Sequence, residues 1–190
     1  DVARRLRESY PALVFREGAF ALAPDGQPIV SLPLGEGELT GALDVVALAR
    51  TAAQRDGPVV SSLTYLPESA RRVLAILTPV RSSEGDLRGF VGGLLQPASM
   101  DFLHGIKLEG GKAQTDLQLI DAGGVVIAST DRNALYRAGD HDQVLQDAVK
   151  DRRPFMGRCH SCHLTGDAPP ERATQVMSFS PLPTLDLGLA

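Results

Sequence analysis

The chain has 190 residues, of which 43% are hydrophobic and 22% charged, and its formal net charge is -4 at pH 7. This composition is typical of a globular protein with one or two domains, and it argues against a disordered chain. The chain is weakly acidic, has no Trp and has only 5% aromatic residues. It therefore lacks the basic surface and the aromatic platforms of nucleic-acid-binding proteins.

The first half alternates helical and strand-like patterns. Apolar residues at helical spacing favour a first helix, which Pro11 is expected to end near Tyr10. The order helix, two strands, helix, three strands predicts an antiparallel sheet with helices to one side, which is an α+β arrangement. In chain order we expect a helix over 1–10, a hairpin over 20–31 with its turn at 24–26, a loop over 33–41, a helix over 43–54, and strands over 59–65, 72–80 and 90–95.

The second half repeats the pattern of the first. Because five features recur in the same order, we interpret the chain as an internal duplication. The expected division is a first subdomain over 1–97, a connector over 98–112 and a second subdomain over 113–190. The matching segments are 119–129 with 21–31, the helix 142–152 with the helix after Gly41, 150–154 with 55–58, 176–182 with 74–80, and 185–189 with 90–94.

Both cysteines of the chain lie in the segment Cys159-His160-Ser161-Cys162-His163, which reads C-x-x-C-H. This spacing is the attachment signature of c-type haem. Two thiols can form thioethers with the haem vinyl groups, and the histidine that follows can reach the iron as proximal ligand. The motif therefore predicts one covalent haem c per chain, with Cys159 and Cys162 as attachment points and His163 on the iron.

Other interpretations of the motif fit less well. A thioredoxin-like redox pair needs a βαβ setting, whereas breaker-rich residues 154–158 precede the motif. A structural zinc site needs four ligands, and the sequence has no second C-x-x-C. A redox disulfide and chance remain as alternatives. In the repeat alignment, residues 155–174 replace the first-half hairpin after Pro58, so we expect the motif on an enlarged connection between two neighbouring strands.

The sixth iron ligand decides whether the iron can bind a gas. The candidates are Met177, Met156 and His141, with His104 ranked last. Strand alternation puts Met177 and Phe179 on one face, although ordinary core packing would explain Met177 as well. Arg153 and Arg158 are candidate partners of the haem propionates, and a solvated role explains them equally well.

Several short motifs follow one another along nearly the whole chain: the hairpin 120–129, the junction 56–61, the strand 77–80 with Gly85 and 89–92, and the segment 179–183. Together they resemble the double Cache family, tandem PAS-like extracytoplasmic sensor modules of bacterial receptors. The resemblance implies two tandem PAS-like (Cache) subdomains, each an antiparallel sheet flanked by helices, with a ligand pocket in each.

The resemblance also suggests a small-molecule site in the first subdomain. Tyr65, Arg71 and Arg72 lie in the region that binds amino acids in some members, although a role as charges of a turn explains Arg71 and Arg72 better. The C-x-x-C-H motif departs from the family and moves the expected sensing chemistry to the second subdomain.

The functional expectation is an extracytoplasmic sensing domain of a histidine kinase, chemoreceptor or cyclic-dinucleotide enzyme. Its haem would respond to redox state or to a diatomic gas. The alternatives are a cytochrome-like electron carrier and a small-molecule receptor with a structural haem. No catalytic triad, paired carboxylate motif or phosphate loop is present, so we do not expect an enzyme.

Haem is attached outside the cytoplasmic membrane, so we expect a periplasmic location. No apolar run of about 18 residues is present, and the chain is interpreted as a piece of a longer protein that holds the membrane segments elsewhere. A homodimer is left open.

Overall fold

The computed structural model describes residues 2–97, 103, 116–138, 142–159, 175–182, 185 and 187–190. The chain divides into two compact units, Asp1–Phe102 and Leu103–Ala190. Each unit contains one antiparallel sheet with helices packed on it, so the predicted α+β class is confirmed. The predicted connector 98–112 lies, apart from Leu103, outside the described residues.

The first unit is built on a sheet with the strand order β2-β1-β6-β5-β3, and β4 pairs with β5 beside β3. Most of the predicted hairpins and helices are present at their expected places. Its helices are α1 (Val2–Ser9), α2 (Glu36–Ala42) and α3 (Val45–Arg55), and its strands are β1 (Gly18–Leu22), β2 (Pro28–Leu32), β3 (Val59–Val60), β4 (Thr64–Leu66), β5 (Arg71–Arg81) and β6 (Leu87–Leu95).

The second unit has the strand order β8-β7-β11-β10-β9. When the strands of each unit are counted along the chain, both sheets have the same spatial order: second, first, last, next-to-last and third. This shared strand order confirms the predicted duplication at the level of topology. The elements are β7 (Gln118–Asp121), β8 (Val126–Ser129), α4 (Asp142–Asp151), β9 (Phe155–Cys159), β10 (Gln175–Pro181) and β11 (Leu187–Leu189).

Strand β1 is buried along its whole length because helices cover both faces of the first sheet. Phe20 and Leu22 point into the larger core, which α2 and α3 cover. Ala19 and Ala21 lie on the opposite face and pack with Leu6 of α1. The small alanine side chains let α1 approach that face. The expectation of helices on one side alone is wrong for this unit.

Helix α2 falls in a segment that was expected to be a loop. Two glycines, Gly37 and Gly41, make the segment a poor helix former. Leu39 lies between them and is fully buried in the core. Burial of a leucine side chain contributes about 1.5–3 kcal/mol, which offsets the cost of the two glycines.

The strand expected over 59–65 is interrupted. The Ser61 amide donates to the Ala75 carbonyl at 2.9 Å, while the Ser61 hydroxyl accepts the Ala75 amide at 2.9 Å. A side-chain oxygen thus takes the place of the backbone carbonyl in the ladder, and the segment divides into β3 and β4. The helix expected over 43–54 is α3, which begins at Val45, and the Asp44 side chain caps its start by accepting a hydrogen bond from the Ala47 amide at 2.9 Å.

A contact between an aromatic ring and a glycine connects the last two strands of the second unit. The ring of Phe179 on β10 lies over Gly188 on β11, and a Cβ atom at Gly188 would overlap that ring. The first unit has the same device, with the Phe20 ring over Gly92. Phe179 is 3% exposed and belongs to the core of Ile120 and the inner face of α4.

Gly188→Ala is expected to lower the free energy of unfolding by about 1–3 kcal/mol, because the added methyl group overpacks a buried ring. Gly157→Ala, on β9 of the same sheet, is the matched control because a Cβ there meets no atom of the described residues within 4 Å. The control should be neutral or stabilising by up to about 1 kcal/mol, since glycine is unfavourable inside a strand. Urea unfolding measures both, and equal losses would contradict the packing argument.

Candidate functional site

The C-x-x-C-H motif begins at the last residue of β9. Strand β9 pairs antiparallel with β10, and the backbone of Cys159 is the register partner of Gln175. The sequence between these two residues connects two neighbouring strands, as expected. Residues 155–158, which were expected to belong to an irregular run, form most of β9. Cys162 and His163 lie outside the described residues.

The inner face of the β9–β10 pair is aromatic and apolar. Phe155 and Phe179 are register partners whose rings stack, with centroids 5.6 Å apart and an interplanar angle of 18°. Met177 is half-buried and packs against the same cluster. The prediction that Met177 and Phe179 share one face is therefore confirmed.

The outer face of the pair is open to solvent. Met156 is 77% exposed and Val176 is 65% exposed, and Ser178 is exposed beside them. Since successive residues of a strand point to opposite faces, Met156 is directed away from Met177 and the core. The two methionine candidates are thus separated by the thickness of the sheet.

Gly157 is the register partner of Met177 and lies on the inner face. Among the residues that the structure describes, a Cβ atom built on Gly157 meets no atom within 4 Å. The aromatic side chains and the thioether sulfur on this face are apolar and would suit the apolar macrocycle of a haem.

The structure gives little information on the arginines proposed to bind the haem propionates and on the histidines proposed as iron ligands. Arg153 is exposed and its Nη2 atom donates to Asp151 Oδ2 at 2.8 Å, so its role toward propionates stays a prediction. The side chain of Arg158, together with His141, His104 and His160, lies outside the described residues. Among the residues that the structure describes, no three His, Cys, Asp or Glu side chains are grouped to hold a metal ion.

The candidate small-molecule residues of the first unit lie on the β4–β5 hairpin. Tyr65 is 53% exposed and is the register partner of Arg72, which is also exposed. Arg71 forms an ion pair with Glu17, whose side chain is 12% exposed. The same Glu17 carboxylate also acts on Tyr10: partial burial, and secondarily this carboxylate, raise the pKa of the Tyr10 hydroxyl. The structure brings Tyr65 and Arg72 together at the surface and directs Arg71 to a neighbouring acid.

Sequence reasoning did not single out Phe155, Gly157 or Glu17. Phe155 is the first residue of β9, and Phe179 lies toward the end of β10. Two aromatic residues at these places predict a stacked pair once 155–159 is known to be a strand. Gly157 was part of the segment that was interpreted as breaker-rich. Glu17 carries no recognisable motif, because its partner Arg71 is 54 residues away.

No family profile matches the sequence, and no curated protein matches it. Solved structures do match. The ligand-binding domain of the Pseudomonas aeruginosa PAO1 amino-acid chemoreceptor PctC, in complex with GABA, is 17% identical with a TM-score of 0.57, over 99% of this chain and 79% of that one. The ligand-binding domain of the Pseudomonas fluorescens chemoreceptor CtaA with L-leucine is 16% identical with a TM-score of 0.58, over 99% and 75%.

The chain has the fold of chemoreceptor ligand-binding domains. An extracellular ligand-binding receptor from Desulfohalobium retbaense also matches, at 12% identity and a TM-score of 0.57, and this chain covers 98% of its own length but 32% of that receptor's. The expected tandem PAS-like (Cache) architecture agrees with these structures. PctC and CtaA are described as chemoreceptors whose ligand-binding domains were solved, and the Desulfohalobium retbaense protein as an extracellular ligand-binding receptor.

In the described part of the chain, no helix has both the length and the apolar character needed to cross a membrane.

Phe155→Leu is expected to lower the free energy of unfolding because it removes one ring of the stacked pair. The expected loss is about 0.5–1.5 kcal/mol in addition to the energy of the apolar area that the smaller side chain no longer buries. Met156→Leu is the matched control on the same strand, since its side chain is 77% exposed. The control should stay within about 0.5 kcal/mol of the parent. Thermal or urea unfolding measures both variants, and a control that loses as much as Phe155→Leu would contradict the assigned faces.

Proposed function

We propose that the chain is the extracytoplasmic sensing domain of a bacterial transmembrane receptor and that its second unit carries one covalent haem c. The output would be a chemoreceptor, a histidine kinase or a cyclic-dinucleotide enzyme. One observation carries the haem proposal: a C-x-x-C-H motif starts at the end of β9, on the connection to β10, in a fold shared with receptor ligand-binding domains.

In this proposal Cys159 and Cys162 attach the haem. Each S–H adds across one vinyl group, so that sulfur bonds to one vinyl carbon and hydrogen to the other, with no atom lost and no outside oxidant needed. His163 then supplies the proximal imidazole. The bound haem would supply an iron that changes oxidation state or takes a diatomic gas.

The described residues have supporting roles around the haem. Pairing of β9 with β10 fixes the backbone of Cys159, and the Phe155–Phe179 stack holds this pair against α4. An apolar surface beside a haem limits access of water, which is one of the means by which a protein sets the reduction potential. Through Phe179 and Gly188, the same cluster contacts β11.

A small-molecule receptor is the second candidate, and the fold favours it because PctC and CtaA are described in complex with GABA and L-leucine. On this chain the Tyr65–Arg72 pair would offer a ring and a cation to a carboxylate. Calorimetric titration with GABA and L-leucine tests this candidate. Binding that disappears in Arg72→Ala would favour it. An electron carrier is less favoured, since one haem on a duplicated receptor fold leaves the first unit without a role.

Protein produced together with the haem-attachment machinery is expected to show a haem spectrum that survives denaturation in acid and organic solvent. Cys159→Ala combined with Cys162→Ala should abolish this covalent spectrum, because both thioethers are lost. Ser161→Ala is the matched control within the motif, since it leaves both thiols and His163 in place. Absence of covalent haem in the parent protein, or its retention in the double variant, would rule out the haem proposal.

A further inference from the structure

We infer that the ion pair between Arg71 and Glu17 couples the β4–β5 hairpin to helix α1, so that a change at the hairpin reaches α1 through residues 10–17. This inference concerns the first unit and does not depend on the haem proposal. It gives Arg71 a role other than ligand binding, and it leaves Tyr65 and Arg72 as the candidates for contact with a small molecule.

The first step of the argument is the burial of Glu17. The Glu17 side chain is 12% exposed, whereas Asp86, in its pair with Arg88, is 65% exposed. A carboxylate that is taken out of water needs a counter-charge. Arg71, which is 54 residues away along the chain, supplies it. Separation of the two would remove this counter-charge from a largely buried carboxylate, so it costs more than separation of an exposed pair.

The second step is the connection from Glu17 to α1. Residues 10–17 lead from the end of α1 to the start of β1, and we call them the 10–17 loop. The Tyr10 hydroxyl donates to the Arg16 carbonyl oxygen at 3.0 Å, which joins the two ends of this loop. Tyr10 also packs against the cluster that contains Leu6 of α1. Besides burial, the Glu17 carboxylate raises the pKa of Tyr10, so these two side chains interact. Side-chain contacts therefore connect α1 with Glu17.

The third step is the anchoring of both sides of the ion pair. On the loop side, the ring of Phe15 lies over Gly93 of β6, where an added Cβ atom would overlap it. On the hairpin side, Arg71 is the first residue of β5 and follows Ala70, whose φ of 52° is unfavourable for a residue with a side chain. The Ala70 amide donates to the Pro67 carbonyl oxygen at 3.3 Å, which closes the turn. Movement of either side must therefore move the other or separate the pair.

The consequence is a coupling that acts in both directions, because the binding free energies of coupled sites are linked reciprocally. Tyr65 and Arg72 are register partners on the hairpin, and Arg72 directly follows Arg71. A molecule bound to them that shifts the hairpin would also shift the 10–17 loop and α1. Displacement of α1 would in turn change the affinity of the hairpin by the same factor.

The test compares hydrogen exchange of Arg71→Met with that of Arg88→Met, a matched pair because each removes the arginine of one ion pair on the same sheet and keeps an unbranched side chain. Arg71→Met should raise the amide exchange rates of the hairpin, the 10–17 loop and α1 by about two- to fivefold, the range that one ion pair provides. Arg88→Met should leave these rates at the parent values, since both members of its pair are exposed. Helix α4 of the second unit is the internal reference and should match the parent in both variants.

Glu17→Gln removes the same ion pair from its other side and should reproduce the effect of Arg71→Met, so it carries the test if Arg71→Met does not accumulate. The double variant should exchange no faster in α1 than the faster single variant, because either substitution alone already breaks the pair. The inference is overturned if α1 keeps the parent rates in Arg71→Met or in Glu17→Gln. It is equally overturned if the two effects on α1 add in the double variant, or if Arg88→Met changes α1 as much as Arg71→Met does.

Discussion

The contact between Phe179 and Gly188 is the constraint on which the second unit depends. Because Gly188 has no side chain, the ring on β10 can lie against β11 and still stack on Phe155 of β9. Three neighbouring strands are thereby packed around one aromatic side chain, with α4 closing the core above it. This packing holds the first residue of β9, Phe155, and the C-x-x-C-H motif begins at the other end of that strand.

Packed side chains connect β9 with the last strand of the unit, because Phe155 contacts Phe179, which in turn rests on Gly188 of β11. Close-packed side chains transmit small displacements because they cannot compress. In the proposed sensor, the state of the iron would be felt at β11 through this cluster. The first unit uses the same ring-over-glycine contact at Phe20 and Gly92, with no haem motif beside it.

Much of the fold followed from local patterns in the sequence. Turn residues and alternation predicted the hairpins, and the recurrence of Leu119–Ser129 predicted the duplication that the strand order confirms. Helix α2 could not be predicted, because only the tertiary burial of Leu39 outweighs its glycines. The break between β3 and β4 was equally hidden, since it depends on the bond between the Ser61 hydroxyl and the Ala75 amide.

The site shows the same division between local and long-range information. Residue spacing alone singled out the C-x-x-C-H segment, and alternation correctly put Met177 with Phe179. That Met156 and Met177 lie on opposite faces of the strand pair depends on the register of β9 with β10, which no local pattern specifies.

Intact-mass measurement of the denatured protein, produced together with the haem-attachment machinery, tests the central claim most directly. Covalent attachment at Cys159 and Cys162 predicts a chain heavier by the mass of one haem, with the added mass located on the peptide that contains both cysteines. A chain with the mass of the polypeptide alone, or with haem that separates on denaturation, would contradict it.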